Sequence, residues 1–370
     1  MKPRALIVEN SIDFTGGLNS ALRSSELLQE QFDFCFFLPA GSKSSGLVRE
    51  KGFDVYELPM KEIRKNLLSL LIYLPFLIVN AIRFTRLVRS AKVDLIISND
   101  FYNLLPPVYK LAGGNVPYVC YIRFIPSRFP VLLSRIWFLL HEHFASSIIA
   151  VSNVVRDELP RQRKVVVIGN ELPLQEVEFI APSSKLILYP ANYIEGKGHQ
   201  YALQSFADVH SRYPQWKLRF IGGDMGLKKN ALFKKRLVEH SFQLGLADCV
   251  QWGGFSDRID QEYLNASIVL NFSESESFSL TCLEAMFYGR PVIATRSGGP
   301  QEIIVHEKNG LLVNVKDVPS MIRALDELIG EPEKRSALAY QAYLQVRDQY
   351  SLNRIKGLLS TTYRDALNLK

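Results

Sequence analysis

Short apolar runs, separated by longer stretches of helical character, recur from one end of the chain to the other, and this alternation constrains the fold more than any other feature. In the first half the runs are Ala5–Val8, Phe34–Leu38, Leu95–Ser98, Tyr118–Tyr121, Ser147–Val151 and Val165–Ile168. Such segments are apolar on both sides of an extended chain, which suits strands covered on both faces, and the long connections between them make those strands parallel. The pattern pauses through Gly169-Asn170-Glu171-Leu172-Pro173 and the polar Pro182-Ser183-Ser184. It resumes with Lys185–Tyr189, Lys217–Ile221, Val250–Trp252, Ile268–Asn271, Val292–Ala294 and Leu311–Val313. A chain of 370 residues exceeds the usual reach of one hydrophobic core. The expectation is an α/β chain of two doubly wound domains, 1–172 and 173–351, with 352–370 a last helix crossing back to the first. Ligand then belongs at the carboxyl ends of the strands, in a cleft between the domains.

Hydrophobic residues make up 47% and charged residues 22%, a composition that folds. The four cysteines, Cys35, Cys120, Cys249 and Cys282, are far apart and form no metal-ligand spacing, so neither a disulfide framework nor a zinc site is expected. His141-Glu142-His143 lacks the spacing of a zinc helix and reads as structural. Only Ala5-Leu6-Ile7-Val8 separates the first cations from Glu9, too short a run for a signal peptide. A cytoplasmic start is the expectation.

The formal charge of +7 is unevenly spread. Residues 61–92 carry Lys61, Arg64, Lys65, Arg83, Arg86, Arg89 and Lys92 against Glu62, which accounts for the basic excess of the first half. Between the two basic groups lies the apolar run Leu67–Ile82. At about 1.5 Å per residue its sixteen residues reach roughly 24 Å, short of a hydrocarbon core of about 30 Å. Two readings stand: a buried crossover helix, or a helix lying in the membrane interface with its cations on anionic head groups. A second run, Ile122–Leu140, also mixes cations with large apolar residues and favours the membrane surface. Nucleic acid is not an expected partner, because the cations flank greasy surface and do not line a polar groove with stacking aromatics.

After the run Ile268–Asn271, a polar loop Ser273-Glu274-Ser275-Glu276-Ser277-Phe278 opens a helix near Ser279, which Gly289 closes before Pro291-Val292 enters the next strand. The free N–H groups and positive dipole end at such a helix start suit an anionic or hydroxyl-rich ligand. Glu276 precedes the helix and Glu284 lies one turn inside it, on the face of Leu280 and Thr281. A buried carboxylate must be satisfied, and vicinal hydroxyls offer two donors at matching separation.

This stretch resembles the Glu-x7-Glu signature of retaining glycosyltransferases of the GT-B architecture, family 4, also called glycosyltransferase group 1. The resemblance implies two Rossmann-like domains facing a cleft. It places Glu276 on the donor sugar and Lys197, from Tyr193-Ile194-Glu195-Gly196-Lys197-Gly198, on the leaving diphosphate. It further implies Phe278, Ser279 and Leu280 as backbone donors, Thr281 near the phosphates and Glu284 on the nucleotide ribose. Asp13-Phe14-Thr15-Gly16-Gly17-Leu18 is similar to the family's Gly-Gly loop, where Gly16 and Gly17 let backbone approach donor or acceptor. Ala150-Val151-Ser152-Asn153, the 293–303 segment and Asn309-Gly310-Leu311 extend the match, which covers the second domain and is patchy in the first.

Three departures accompany it. Asn192 stands where the family often has an Arg; Arg123 follows Cys120-Tyr121-Ile122 where a His is common; Asn170-Glu171 replaces Asn-Gly. Arg123 supplies charge near an acceptor but cannot shuttle protons at neutral pH. The chain has no Asp-x-Asp, so no metal and no cofactor are expected, and Lys197, the helix start and Gly16-Gly17 supply the positive potential. The function implied is a retaining, metal-independent hexosyltransferase using a nucleotide-sugar, a UDP-sugar being the commonest donor. Its acceptor would be a glycan or lipid-linked intermediate of bacterial surface polysaccharide (lipopolysaccharide, capsule or exopolysaccharide), with the protein peripheral on the cytoplasmic membrane face through patch 61–92. The alternatives are a soluble transferase with a small acceptor and a non-catalytic nucleotide-sugar binder.

Overall fold

The computed structural model describes residues 2–59 and 67–369, with side chains for all of these but 67–74. The chain divides into two compact units, Met1–Glu171 with Leu352–Lys370, and Leu172–Ser351. The first is built on β1 (Arg4–Val8), β2 (Asp33–Pro39), β3 (Asp54–Leu58), β4 (Leu95–Ser98), β5 (Tyr118–Ile122), β6 (Ser147–Ala150) and β7 (Val165–Val167), ordered β3-β2-β1-β4-β5-β6-β7. Every pairing is parallel, with Ala5 opposite Phe34 on one side and Leu95 on the other. β1, β2, β4, β5 and β6 are buried along almost their whole length, which is why their sequences are continuously apolar. β3 was not expected from the sequence: Asp-Val-Tyr-Glu-Leu is an edge strand, half exposed, and it lacks the apolar run that marks its neighbours.

The second unit contains β8 (Leu186–Pro190), β9 (Lys217–Ile221), β10 (Val250–Trp252), β11 (Ile268–Asn271), β12 (Val292–Thr295) and β13 (Leu311–Val313), ordered β10-β9-β8-β11-β12-β13 and again all parallel. Chain order reverses between β1 and β4 in one sheet and between β8 and β11 in the other. Right-handed crossovers at a reversal send the following helices to opposite faces, so the loops leaving the two carboxyl ends diverge and leave a crevice. In the second unit these are the loops that carry Lys197 and Glu276.

The C-terminal helix Leu352–Ala366 belongs to the first unit. It packs on the Gly16–Leu28 helix, and the Tyr363 hydroxyl meets that of Tyr121 at 2.7 Å. The spacing of Ile355, Leu359, Thr362, Tyr363 and Ala366 gives it one buried face.

The run Leu67–Ile82 lies within a longer helix, Leu67–Ser90, of 24 residues, so the sixteen-residue length understates the element. Lys61, Glu62, Arg64 and Lys65 of the basic patch lie outside the described residues. Leu77, Ala81, Phe84 and Val88 are buried against the unit, and the Asn80 carboxamide donates to Pro59 O at 2.7 Å. The opposite face exposes Ile78, Val79 and Ile82 beside Arg83 and Arg86. The Leu105–Leu111 helix packs on both this helix and Val131–Phe144. The latter buries Ser134, Trp137, Phe138 and His141 while exposing Val131, Leu132, Arg135, Ile136 and Leu139. Leu132 is 71% exposed. Among the described residues no helix is long and apolar enough to cross a membrane.

Candidate active site

Lys197 sits on the loop between β8 and the His199–His210 helix. Gly196 and Gly198 both have left-handed backbone, at φ +88° and +80°. At Gly198 a Cβ would lie 2.1 Å from Phe272 O, so the loop presses on the end of β11 with no room for a side chain. The Tyr189 hydroxyl donates to Lys197 O and accepts from Phe272 N at 3.0 Å, and Glu274 N donates to Gly196 O at 2.8 Å. These bonds stitch the lysine loop to the acidic loop after β11. Beneath it, His199 is buried among Tyr189, Tyr193 and Phe220, and burial pushes its imidazole down to about 3. Its Nε2 lies 3.2 Å from Ala191 O, which fits a neutral ring donating there.

Glu276 is held from both sides: its N–H donates to Ser297 O at 2.9 Å, and its carbonyl accepts from Gly299 N at 2.8 Å. A Cβ on Gly299 would fall 2.3 Å from Phe278 Cα, so the 293–303 segment lies directly against this loop. The Glu276 Oε1 atom is 2.7 Å from Lys197 Nζ, with side-chain exposures of 14% and 33%. Behind the pair, Glu274 accepts from Tyr201 Oη at 2.9 Å and pairs with Lys316 at 2.9 Å.

The helix Leu280–Phe287 starts at Ser279, a non-glycine residue at φ +83°. Such a backbone persists only where surroundings fix it. Asn271 Nδ2 donates to Ser279 Oγ at 2.8 Å, and Ser279 Oγ accepts from Cys282 N. The Phe278 ring is buried and edge-on to Tyr350, and its backbone packs against Gly299. Cys282 N and Leu283 N are capped by Ser279, which leaves Leu280 N and Thr281 N as the donors at the tip. The Thr281 hydroxyl donates to Pro190 O at 3.2 Å, so its proton is committed to the end of β8. Glu284 is 7% exposed, with Oε2 accepting from Tyr263 Oη at 3.1 Å. Asn192 holds Gly223 N through Oδ1 at 2.9 Å, bracing the loops after β8 and β9.

The second unit thus brings Lys197, Glu276, Ser279, Leu280, Thr281 and Glu284 to one sheet reversal. Tyr263, Tyr201, Glu274 and Lys316 also belong here and carried no motif. Glu274 adjoins the acidic signature; for Tyr263 no sequence signal exists, since its contact spans 21 residues between separate elements.

In the first unit, Gly16 and Gly17 are not a loop. They form the first turn of the Gly16–Leu28 helix, whose N-cap Thr15 accepts from Leu18 N at 3.2 Å. A Cβ on Gly17 would sit 3.2 Å from Arg123 Cδ, so this glycine makes room for an arginine. Arg123, 8% exposed, donates to Asn99 Oδ1 at 2.8 Å, to Ser20 Oγ at 3.0 Å and to Asn170 Oδ1 at 2.9 Å, and lies over the Tyr121 ring. Glu9, Asp100 and Glu171 complete the network around the β1/β4 reversal. Burial pushes the Asp100 carboxyl up to about 8, with Arg123 drawing it partly back. His141 is fully buried against Tyr118, and burial lowers it to about 4. Among the described residues no cluster of His, Cys, Asp or Glu is placed to hold a metal ion.

The two parallel α/β units have the GT-B fold, as comparison with solved structures shows. The Anabaena protein HepE, crystallised with UDP and glucose, superposes with a TM-score of 0.83 over 97% of this chain and 99% of its own, at 20% identity. Residues 170–345 match the model of the family Glycosyl transferases group 1. Curated relatives include a D-inositol 3-phosphate glycosyltransferase of Corynebacterium urealyticum, 34% identical over 43% of this chain and 38% of its own length. An exopolysaccharide phosphotransferase of Streptomyces coelicolor is 33% identical over 40% of this chain and 15% of its own. The matched segments span less than half the length of these relatives.

Proposed function

We propose that the chain is a retaining glycosyltransferase that moves a hexose from a nucleotide-sugar, a UDP-sugar, to a glycan or lipid-linked acceptor in bacterial surface polysaccharide synthesis. The observation that carries this is the 2.7 Å pairing of Lys197 with Glu276 beside the tip of the Leu280–Phe287 helix, inside the segment that matches the family. In the free protein each charge neutralises the other. When donor binds, Lys197 turns to the diphosphate, and the Glu276 carboxylate accepts from sugar hydroxyls. The helix tip adds about half a positive charge at Leu280 and Thr281, and Glu284 takes the ribose hydroxyls.

The bond from the anomeric carbon to the diphosphate oxygen breaks, and the acceptor oxygen bonds to that carbon on the same face. The acceptor proton passes to the departing phosphate oxygen, so no enzyme base is required. Fixed donors at the site of developing charge contribute about 10²–10³ in rate each, and here they stand in for a metal. UDP is supported by the HepE complex, and the surface-polysaccharide role by the exopolysaccharide-related relative.

The exposed apolar and cationic faces of the Leu67–Ser90 and Val131–Phe144 helices support docking on the cytoplasmic membrane surface, with Leu132 inserted and Arg83, Arg86 and Arg135 on anionic head groups. A non-catalytic sugar-nucleotide binder is the second reading, favoured by Asn192, which braces Gly223 where the family often has a cation.

The test is a thermal-shift screen against UDP-, GDP-, ADP- and dTDP-sugars, repeated with Glu284→Ala, followed by product analysis for the nucleotide that binds. Stabilisation lost on substitution, together with turnover, supports transfer. Binding without turnover supports the second reading, and no response to any nucleotide-sugar removes both.

A further inference from the structure

We infer that Tyr263 is a positioning residue for Glu284 and sets how strictly the site demands a ribonucleotide. The inference rests on the reading that Glu284 holds the ribose. Tyr263 lies on the Ile259–Asn265 helix, and its hydroxyl donates to Glu284 Oε2 at 3.1 Å. Its ring is stacked on Tyr288 at 5.4 Å between centroids and 14° between planes. Tyr288 is the residue that ends the Leu280–Phe287 helix, and its N–H donates to the Glu284 carbonyl at 2.9 Å. Backbone and side chain of Glu284 are therefore tied to one aromatic pair.

The terminal torsion of a glutamate is broad and roughly two-fold, so a carboxylate without a fixed partner samples many planes. A vicinal diol needs one plane, with oxygens aimed at both hydroxyls. The Tyr263 bond holds Oε2 and with it the orientation of Oε1, so that the 2′- and 3′-hydroxyls meet a prearranged acceptor and little ordering cost falls on binding. Discrimination against a missing 2′-hydroxyl then depends on a residue that does not touch the nucleotide. Lining up a charged acceptor is what makes the loss of one donor large, since hydrogen bonds to charged groups exceed neutral ones.

The experiment measures binding of UDP and 2′-deoxy-UDP by calorimetry, with ADP and 2′-deoxy-ADP as a parallel pair, for the full chain and for Tyr263→Phe and Glu284→Gln. The parent is expected to prefer the ribonucleotide at least about tenfold. Tyr263→Phe keeps the ring stack and is expected to unfold within about 3 °C of the parent. Its preference should fall to about threefold or less. An unchanged preference in Tyr263→Phe, with the preference abolished in Glu284→Gln, overturns the positioning role and leaves the ribose reading standing. An unchanged preference in Glu284→Gln, or no nucleotide binding at all, overturns the ribose reading and the inference with it. Lowered thermal stability in Tyr263→Phe with the preference intact marks a packing role only and also overturns it.

Discussion

Lys197 Nζ lies 2.7 Å from Glu276 Oε1, although 79 residues separate them in the chain. The two arrive together because β8 and β11 are neighbours at the point where the sheet reverses, and each loop leaves its strand there. A pair this exposed adds less than about 1 kcal/mol to folding, so its value lies in the charge it presents. Lys197→Ala is accordingly expected to leave thermal stability nearly unchanged while lowering transfer at least about 100-fold. Unfolding scans and single-turnover rates on the same preparation check both halves.

Gly198→Ala acts differently. Its new Cβ would meet Phe272 O at 2.1 Å on a backbone at φ +80°. A cost of about 1–3 kcal/mol for the strained conformation is expected, with the lysine loop displaced from β11. Denaturant unfolding should show the stability loss, and donor affinity should drop with it.

Acid should weaken the second unit through His199. Its folded value near 3 lies below the ordinary 6.5, so between these limits the unfolded chain binds more protons. The stability that the neutral ring contributes is present above about pH 6.5 and is lost as pH falls towards 3. His199→Phe keeps an aromatic ring between Tyr193 and Phe220. It should reduce the acid-side slope of unfolding free energy by up to about 1.4 kcal/mol per pH unit, measured by denaturant titration across that window.

Membrane docking has its own signature. Leu132→Glu and Arg135→Glu should each weaken sedimentation with vesicles containing about 30% phosphatidylglycerol by roughly tenfold. Raising salt should release the parent protein, because head-group attraction is screened. Equal binding to neutral vesicles at any salt would remove the cationic half of the proposal.

Much of this was legible in the residues. The buried parallel strands announced themselves as continuous apolar runs, while β3 stayed hidden because an edge strand with Asp54 and Glu57 has no reason to be apolar. Ser279 was readable as a helix start, but its left-handed backbone depends on Asn271 and on packing that sequence does not display. The pairing of Lys197 with Glu276 could be anticipated only through resemblance to a family, since nothing in either segment alone specifies the other. Tyr263 was invisible for the same reason. In the first unit, Gly17 lies in a helical turn where the motif suggested a loop, and its missing side chain accommodates Arg123; that arginine is fixed by Ser20, Asn99 and Asn170 from three distant parts of the chain.

The most direct test of the donor machinery is the rate of nucleoside diphosphate release from the responding nucleotide-sugar, with acceptor-rich membranes present, for the parent, Lys197→Ala and Glu276→Gln. Steady release by the parent is expected, with a loss of at least about 100-fold in each variant at unchanged folding. Release at the parental rate by either variant would contradict it.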